Sequence, residues 1–390
     1  MKTWPALTAR FVLHIVLLVI HICWCSLILI LFTLTSFFVC PDYCDLSESF
    51  PALIKKRTSD LRLKSDELVS GGYWFHYLED KIAGYLLSVD QNVPAPKIHC
   101  CITNVTELLY CLNETVPDDV DGVVIKATNF HSSQGVYVLV KILDRDGDPA
   151  LALNLLDNIT MTYEDVVSSL AHMQASKIIV EEFIGTSLPT EYKFHVVNGS
   201  VAAIDIIDAR GTDCACYAVV DTKWNRLDKF GCFEPTGLDM IADGTNCTEI
   251  DFSTGQHRCG PVKKDLYVCE EIPDLDSCVL QEMIDIAVQL GNRIGVYMRV
   301  DMFVVDNEMF VQEYSANHMN GMRHCAAKFD EDACIDSCFL GRMWNAAGAP
   351  HGGFQTDVPR IIEGFGDLTP AEQCALLNNV TYPTYTSKCT

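Results

Sequence analysis

From Phe11 to Val39 the chain carries no charged residue. No other feature constrains its folding as strongly. As a helix those 29 residues would reach about 43 Å, beyond the roughly 30 Å hydrocarbon core of a bilayer. The run also exceeds the roughly 7–15-residue apolar region of a cleaved signal peptide, which is the competing reading. The expectation is a cytosolic tail at 1–10, a transmembrane signal anchor at 11–39, a stem at 40–70 and a folded body at 71–390. Lys2 and Arg10 precede the run, and Asp42, Asp45 and Glu48 follow it. The positive-inside bias then keeps the short N-terminus in the cytosol, although Lys55, Lys56 and Arg57 weaken it. This predicts a single-pass type II membrane protein of the secretory pathway. A luminal body of this kind suits the Golgi better than the cell surface.

The rest of the chain agrees with an oxidising, glycosylating compartment. Six N-x-[ST] sequons occur, at Asn104, Asn113, Asn158, Asn198, Asn246 and Asn379. There are 19 cysteines, of which Cys23 and Cys25 lie in the apolar run. No CxxC pair is present, so disulfides are expected ahead of structural zinc. The formal net charge of −24 excludes nucleic acid as a general partner, because phosphate binding needs basic surface. Any site for an anionic ligand must gather its lysines and arginines locally.

Within the body the pattern alternates between helix and hairpin. Tyr73 to Ser88 reads as a helix with Asp80 and Lys81 inside it, and Pro94 and Pro96 introduce the strand KIHCCI. GVVIKAT and VYVLVKI form a hairpin across the loop NFHSSQG. Thr160 to Ser176 reads as a helix, and KIIVEEFIG as a strand running into a loop. EYKFHVVNGSVAAIDII is a hairpin turning at Asn198-Gly199. After a helix from Leu275 to Ile294, RVDMFVVDNEMFVQEYS forms another hairpin, turning at Asp306-Asn307. Hairpins interleaved with helices indicate an α+β body with antiparallel sheets.

Several charged residues stand where strands leave little room for charge. Lys126 lies among Val123, Val124 and Ile125, so its ammonium must be paired or solvated. The loop after it, with Ser132, Ser133 and Gly135, has backbone N–H groups that can close over phosphate. The bland alternative is an edge-strand lysine and an ordinary turn. Glu181 and Glu182 end a strand whose following backbone, at Phe183 and Ile184, can read a base edge; the alternative is two solvated acids. Glu191 and Lys193 share one strand face and could grip a ribose and a phosphate, or form a surface ion pair. Arg299 and Asp301 share a face, as do Glu313 and Ser315. Two carboxylates brought together by the hairpin would repel. A divalent cation would relieve that, since Mg²⁺ takes one or two carboxylates with phosphate oxygens and water. The alternative is a salt bridge from Arg299 to one acid.

The order of these segments resembles that of ATP-grasp proteins, and within them the TupA-like branch associated with teichuronopeptide biosynthesis. Asp80-Lys81, PDDVDGVVIKATNFHSSQG, LPTEYKFHVVNGSV, VVDTKWNRL, RVDMFVVDNEMFVQEYSANHMNG and CFLGRMWN carry the resemblance, over most of residues 80–345. It implies an ATP-grasp fold with ATP between two antiparallel-sheet subdomains. Lys81 and Lys126 would meet phosphates under the loop Ser132–Gly135. Glu181 or Glu182 with Phe183 and Ile184 would meet adenine, Glu191 the ribose, and Lys193 a phosphate. Asp301 and Glu313 would hold Mg²⁺, and Arg299 would lie beside the transferred phosphoryl group. Ser315 stands where many ATP-grasp ligases carry a metal-binding Asn, and Asn317 is the nearby substitute. The resemblance implies an ATP-dependent carbon–nitrogen ligase acting through an acyl phosphate, with a glycan or glycoprotein as one acceptor. An ATP-dependent sugar or polyol kinase on the same fold, or a non-catalytic glycan-binding ectodomain, are the alternatives.

Overall fold

The structure, a computed structural model, describes residues 52–57, 74–117, 119–128, 130, 134–142, 151–208, 216–226, 247–251, 256–259, 267–268, 271–316, 335–346, 357–382, 387 and 389. The apolar run at 11–39 lies outside them. Among the described residues no helix is long and apolar enough to cross a membrane.

Two six-stranded sheets organise the fold. The first has the order β1-β6-β2-β3-β4-β5, with β1 Ile98–Ile102, β2 Gly122–Ala127, β3 Val136–Ile142, β4 Leu151–Asn154, β5 Ile159–Met161 and β6 Ile178–Glu182. All of its neighbours are antiparallel. The second has the order β12-β9-β8-β7-β13-β14, with β7 Glu191–Val197, β8 Ser200–Asp208, β9 Cys216–Val220, β12 Tyr267–Val268, β13 Met298–Val305 and β14 Glu308–Ser315. It departs from the expected purely antiparallel arrangement at one edge, where β12 runs parallel to β9. β10 (Cys247–Asp251) and β11 (Gln256–Cys259) form a separate ribbon.

The hairpin turns lie where the sequence places them. Asn198 and Gly199 have φ of 45° and 76°, and Asp306 and Asn307 have φ of 52° and 63°. Two successive positive φ values match the right-handed twist of paired strands. Helix boundaries follow their caps. The segment expected as one helix from Tyr73 splits instead into a 3₁₀ turn at Trp74–Glu79 and α1 at Lys81–Asp90. The cause is Asp80, whose carboxylate accepts from the Ile82 N–H and starts a new helix. α2 spans Leu108–Thr115, and α3 spans Tyr163–His172 behind a Thr162–Asp165 capping box, shorter than the expected 160–176. α4 (Ser277–Ile294) is capped by Asp276 and ends at Gly295 with φ of 78°. α5 is Ile335–Ala346 and α6 is Pro370–Asn378.

Alternation sorts the second sheet into two faces. Tyr192, Phe194, Val196, Ile204, Ile206, Val300, Met302, Val311 and Tyr314 join α1 and α4 in the largest core cluster. The opposite face carries charge, and its far end is closed by Trp344 and Leu340 of α5. Residues 52–57 form a helical turn with Leu53, Ile54 and Arg57 buried, so this part of the segment read as a stem packs into the body. The Arg57 guanidinium donates to Tyr297 O at 3.1 Å and to Ala316 O, and lies 5.0 Å from the Phe75 and Trp344 ring centres. Burial lowers its pKa to about 10.

Three disulfides occur among the described residues: Cys100–Cys111, Cys101–Cys374 and Cys278–Cys389. Cys101–Cys374 ties α6 to β1, and Asn378 adds hydrogen bonds to both backbone groups of Cys101.

Candidate functional site

A row of charge crosses four strands of the second sheet. Asp205 on β8 lies opposite Lys193 on β7, Lys193 opposite Asp301 on β13, and Asp301 opposite Glu313 on β14. One residue pair along, His195, Arg299 and Ser315 form the next row. This register places the two carboxylates of the last hairpin face to face, the expected outcome, but regular alternation from the Asp306-Asn307 turn would have set Asp301 opposite Gln312. A bulge after Asp301 puts Gln312 and Glu313 against it and returns Val311 to the core.

Asp301 is 1% exposed and heavily engaged. Arg299 donates through Nε to Oδ1 and through a terminal nitrogen to Oδ2, both at 2.6 Å, and Lys193 Nζ reaches Oδ2 at 2.8 Å. Burial disfavours the ionised carboxylate, but Arg299 and Lys193 outweigh it and hold the Asp301 pKa below the usual carboxylate range. Lys193 also pairs with Glu191 at 2.8 Å. Burial works against its charge, yet Asp301 and then Glu191 raise its pKa. Burial likewise opposes the Arg299 charge, and Asp301 more than restores it. Glu191–Lys193 is therefore a mostly buried pair rather than a surface one. Arg299 does make the salt bridge to one acid, the plainer of the two readings of that segment. Glu313, half-buried, forms no ion pair among the described residues.

The first sheet supplies two more lysines. β2 is an interior strand, so Lys126 is no edge residue. Its ammonium pairs diagonally with Glu181 on β6, and both residues are 2% exposed. Tyr85 of α1 donates its hydroxyl to the other Glu181 oxygen. Burial, followed by Glu181, pushes the Tyr85 pKa well up, so the phenol stays a donor. Lys81, the first residue of α1, donates to Phe130 O at 2.8 Å. Burial lowers its pKa; Glu313 of the second sheet and Lys126 of the first are the next strongest influences. α1 thus spans both sheets. Tyr85 and Lys81 reach the first, while Ser88 bonds Tyr314 of β14 at 2.8 Å and Gly84 presses against the Tyr314 ring.

The remaining expected residues divide. Glu182 is exposed and Glu181 buried, so the adjacent acids are not two solvated ones. β6 ends at Glu182, leaving Phe183 and Ile184 half-buried beyond the paired strand. Gly135 has φ of 63° and accepts from the Ala127 N–H at 2.8 Å; a Cβ there would lie 2.9 Å from that of Ala127. Ser132, Ser133 and Asn317 lie outside the described residues. Among the described residues no group of three or more His, Cys, Asp and Glu is arranged to hold a metal ion.

Three contributors escaped the sequence reading. Tyr85 lies four residues after Lys81, on the same helix face, which was a usable signal. Lys177 bonds the Asp80 carboxylate and Gln373 Oε1, the latter at 2.6 Å, so it joins α1, β6 and α6. His195 sits between Asp205 (Nε2 to Oδ2, 3.0 Å) and the Tyr297 hydroxyl (Nδ1, 2.9 Å), on the same sheet face as Lys193 and Arg299. The Asn198-Gly199 turn alone would set Asp205 opposite Tyr192, on the other face; the bulge between His195 and Val196 brings Asp205 opposite Lys193, on the face of His195.

No family model matches the chain, and no curated protein matches it. Solved structures that resemble it include D-alanine–D-alanine ligase from Helicobacter pylori, 14% identical over 68% of this chain and 61% of that one, with a TM-score of 0.32. D-alanine–D-alanine ligase from Bacillus anthracis is 16% identical over 73% and 69%, with a TM-score of 0.35. ATP-grasp ligase PsnB, complexed with a precursor variant, Mg and ADP, is 12% identical over 70% and 60%, with a TM-score of 0.34. The chain spans about three fifths of the length of the Helicobacter ligase. Likenesses this distant carry no argument about what the chain does.

Proposed function

We propose that this chain is a membrane-anchored, luminal enzyme of ATP-grasp type that uses MgATP to join a carboxylate to an amine. One observation carries the reading. Glu313, at the end of the row Lys193–Asp301–Glu313 flanked by Arg299, lies within electrostatic range of Lys81 of α1, which in turn lies within range of Lys126 of the first sheet. Lys126, Lys193 and Arg299 are paired with acids, but among the described residues Lys81 is buried with the Phe130 carbonyl and no ion pair, and a buried charge is costly unless it is paired, which an anionic ligand would do.

In this reading Lys81, Lys126 and Lys193 bind the triphosphate, and the loop Ser132–Gly135 covers it. Glu181 or Glu182 with the Phe183–Ile184 backbone meets adenine, and Glu191 the ribose. Asp301 and Glu313, with Ser315 beside them, fit a Mg²⁺ ion that needs one or two carboxylates. An incoming phosphate competes with Asp301 for Lys193 and Arg299, which frees carboxylate oxygens for the cation. Bound there, Mg²⁺ would neutralise charge on the phosphate oxygens. The substrate carboxylate oxygen attacks the γ-phosphorus and ADP leaves. The amine then attacks the acyl carbon, phosphate departs, and the amine nitrogen loses a proton. Arg299 stabilises charge on the transferred phosphoryl group, and the lysines position it. A glycan or glycoprotein of the Golgi lumen is the acceptor class that this location offers.

Thermal denaturation of the full chain with and without MgATP tests the site. Nucleotide at 100 times its dissociation constant should add about 2.7 kcal/mol. That gain should vanish in Lys126→Ala and in Glu313→Gln, each read against its own nucleotide-free midpoint. Stabilisation that survives both substitutions would remove the assignment, and none in the wild type would favour a binding ectodomain. Amide and free phosphate as products mark a ligase; a phosphorylated sugar or polyol with ADP marks a kinase.

A further inference from the structure

Tyr110 is 69% exposed, the highest value among the large hydrophobic side chains described. Its exposure is built in. α2 buries Leu108 and Cys111 on its inner side, and Cys111 is bonded to Cys100 of β1. Thr115 Oγ1 donates to Cys111 O at 2.8 Å, so the last turn is held as well. α2 cannot roll to hide the ring. Asn113, also exposed, follows Tyr110 by three residues and opens the sequon Asn113-Glu114-Thr115. Residues three apart on a helix are neighbours, with about 5–6 Å between Cβ atoms.

The exposed Tyr110 ring offers an apolar face on which the C–H face of a neighbouring sugar ring can pack. We propose that Asn113 carries an N-linked oligosaccharide whose first sugar lies over the Tyr110 ring. The proposal rests on the luminal placement put forward above. The transfer forms a bond from Asn113 Nδ2 to C1 of the first N-acetylhexosamine. It breaks the C1–O bond to a polyprenyl diphosphate donor, and Nδ2 gives up a proton. Asn104, Asn158, Asn198 and Asn379 are exposed too, but none follows an exposed aromatic by three residues. Asn379 Nδ2 is further engaged with Ala375 O at 2.7 Å. α2 packs on β1 and α3, at the edge of the first sheet. A glycan there covers Tyr110 without crossing the strands that carry Lys193, Arg299 and Asp301.

The test is glycopeptide mass spectrometry on the full chain made in secretory-pathway cells, with melting temperatures for Tyr110→Ala, Asn113→Gln and the double variant. Asn113 should be occupied. Tyr110→Ala should lower the melting temperature of the glycosylated chain by about 2 °C, and should change nothing in the Asn113→Gln background. An unmodified Asn113 beside other occupied sequons overturns the proposal and leaves the luminal reading standing. Equal shifts in both backgrounds overturn the sugar–ring contact. No occupied sequon at all sinks the luminal reading as well.

Discussion

Lys126 and Glu181 form an ion pair sealed from water, with Tyr85 as a third member. Removing one partner of such a pair strands the other charge, so Glu181→Gln should cost about 3–5 kcal/mol in denaturant unfolding. A loss under 1 kcal/mol would mean that water reaches Lys126. His76 carries a different signature. Burial, aided by Arg57, lowers its pKa to about 4. As pH falls from about 6.5, the unfolded chain takes the proton first, so stability declines towards pH 4 by about 2–3 kcal/mol. His76→Phe should flatten the stability–pH curve across that window. Asp301 acts lower down: its depressed pKa contributes stability above about pH 3.9, lost as pH falls through the folded value. The sequence showed which residues could carry charge onto one face. Their pairing was not legible, because it depends on which strands become neighbours.

At the element scale, capping and turn chemistry set most boundaries. Asn198-Gly199 and Asp306-Asn307 were readable as hairpin turns because left-handed pairs favour those residues. Asp80 was misread as helix interior, because an aspartate between two apolar-periodic stretches fits either a surface position or a cap. The contact of α4 with the β7–β8 turn was not visible at all. A Cβ at Gly291 would lie 2.3 Å from Val196 Cγ1 and 3.1 Å from the Gly199 backbone. Gly291→Ala should therefore cost about 1–3 kcal/mol through overpacking, despite the higher helix propensity of alanine. An unchanged midpoint would show that α4 can lift from the turn.

On the scale of the molecule, residues 52–57 act as a staple. Arg57 caps the Tyr297 and Ala316 carbonyls and lies between the Phe75 and Trp344 rings, joining three separated parts of the chain. Arg57→Ala should lower stability by about 2–4 kcal/mol, from lost cation–π contact and a cavity, and a chain trimmed to residue 71 should lose at least as much. Equal melting midpoints for the full and trimmed chains would show the staple to be dispensable. Composition read the Lys55-Lys56-Arg57 cluster as linker charge. An arginine's burial is set by the rings around it, and those come from residues 75, 297 and 344.

Local chemistry reaches as far as strands, turns, caps and the faces of each hairpin, because these depend on residues a few positions apart. The turn and the period of two by themselves would set Asp301 opposite Gln312; the bulge beside Asp301 brings Glu313 to it. Everything that needs distant segments to meet lay beyond local chemistry: the Lys126–Glu181–Tyr85 group, the Lys193 bridge to Asp301, the His195–Asp205–Tyr297 network beside it, and α1 spanning both sheets. Those contacts join residues as far apart as 226 positions, Ser88 and Tyr314, and their partners are chosen by the order of strands and the burial around them.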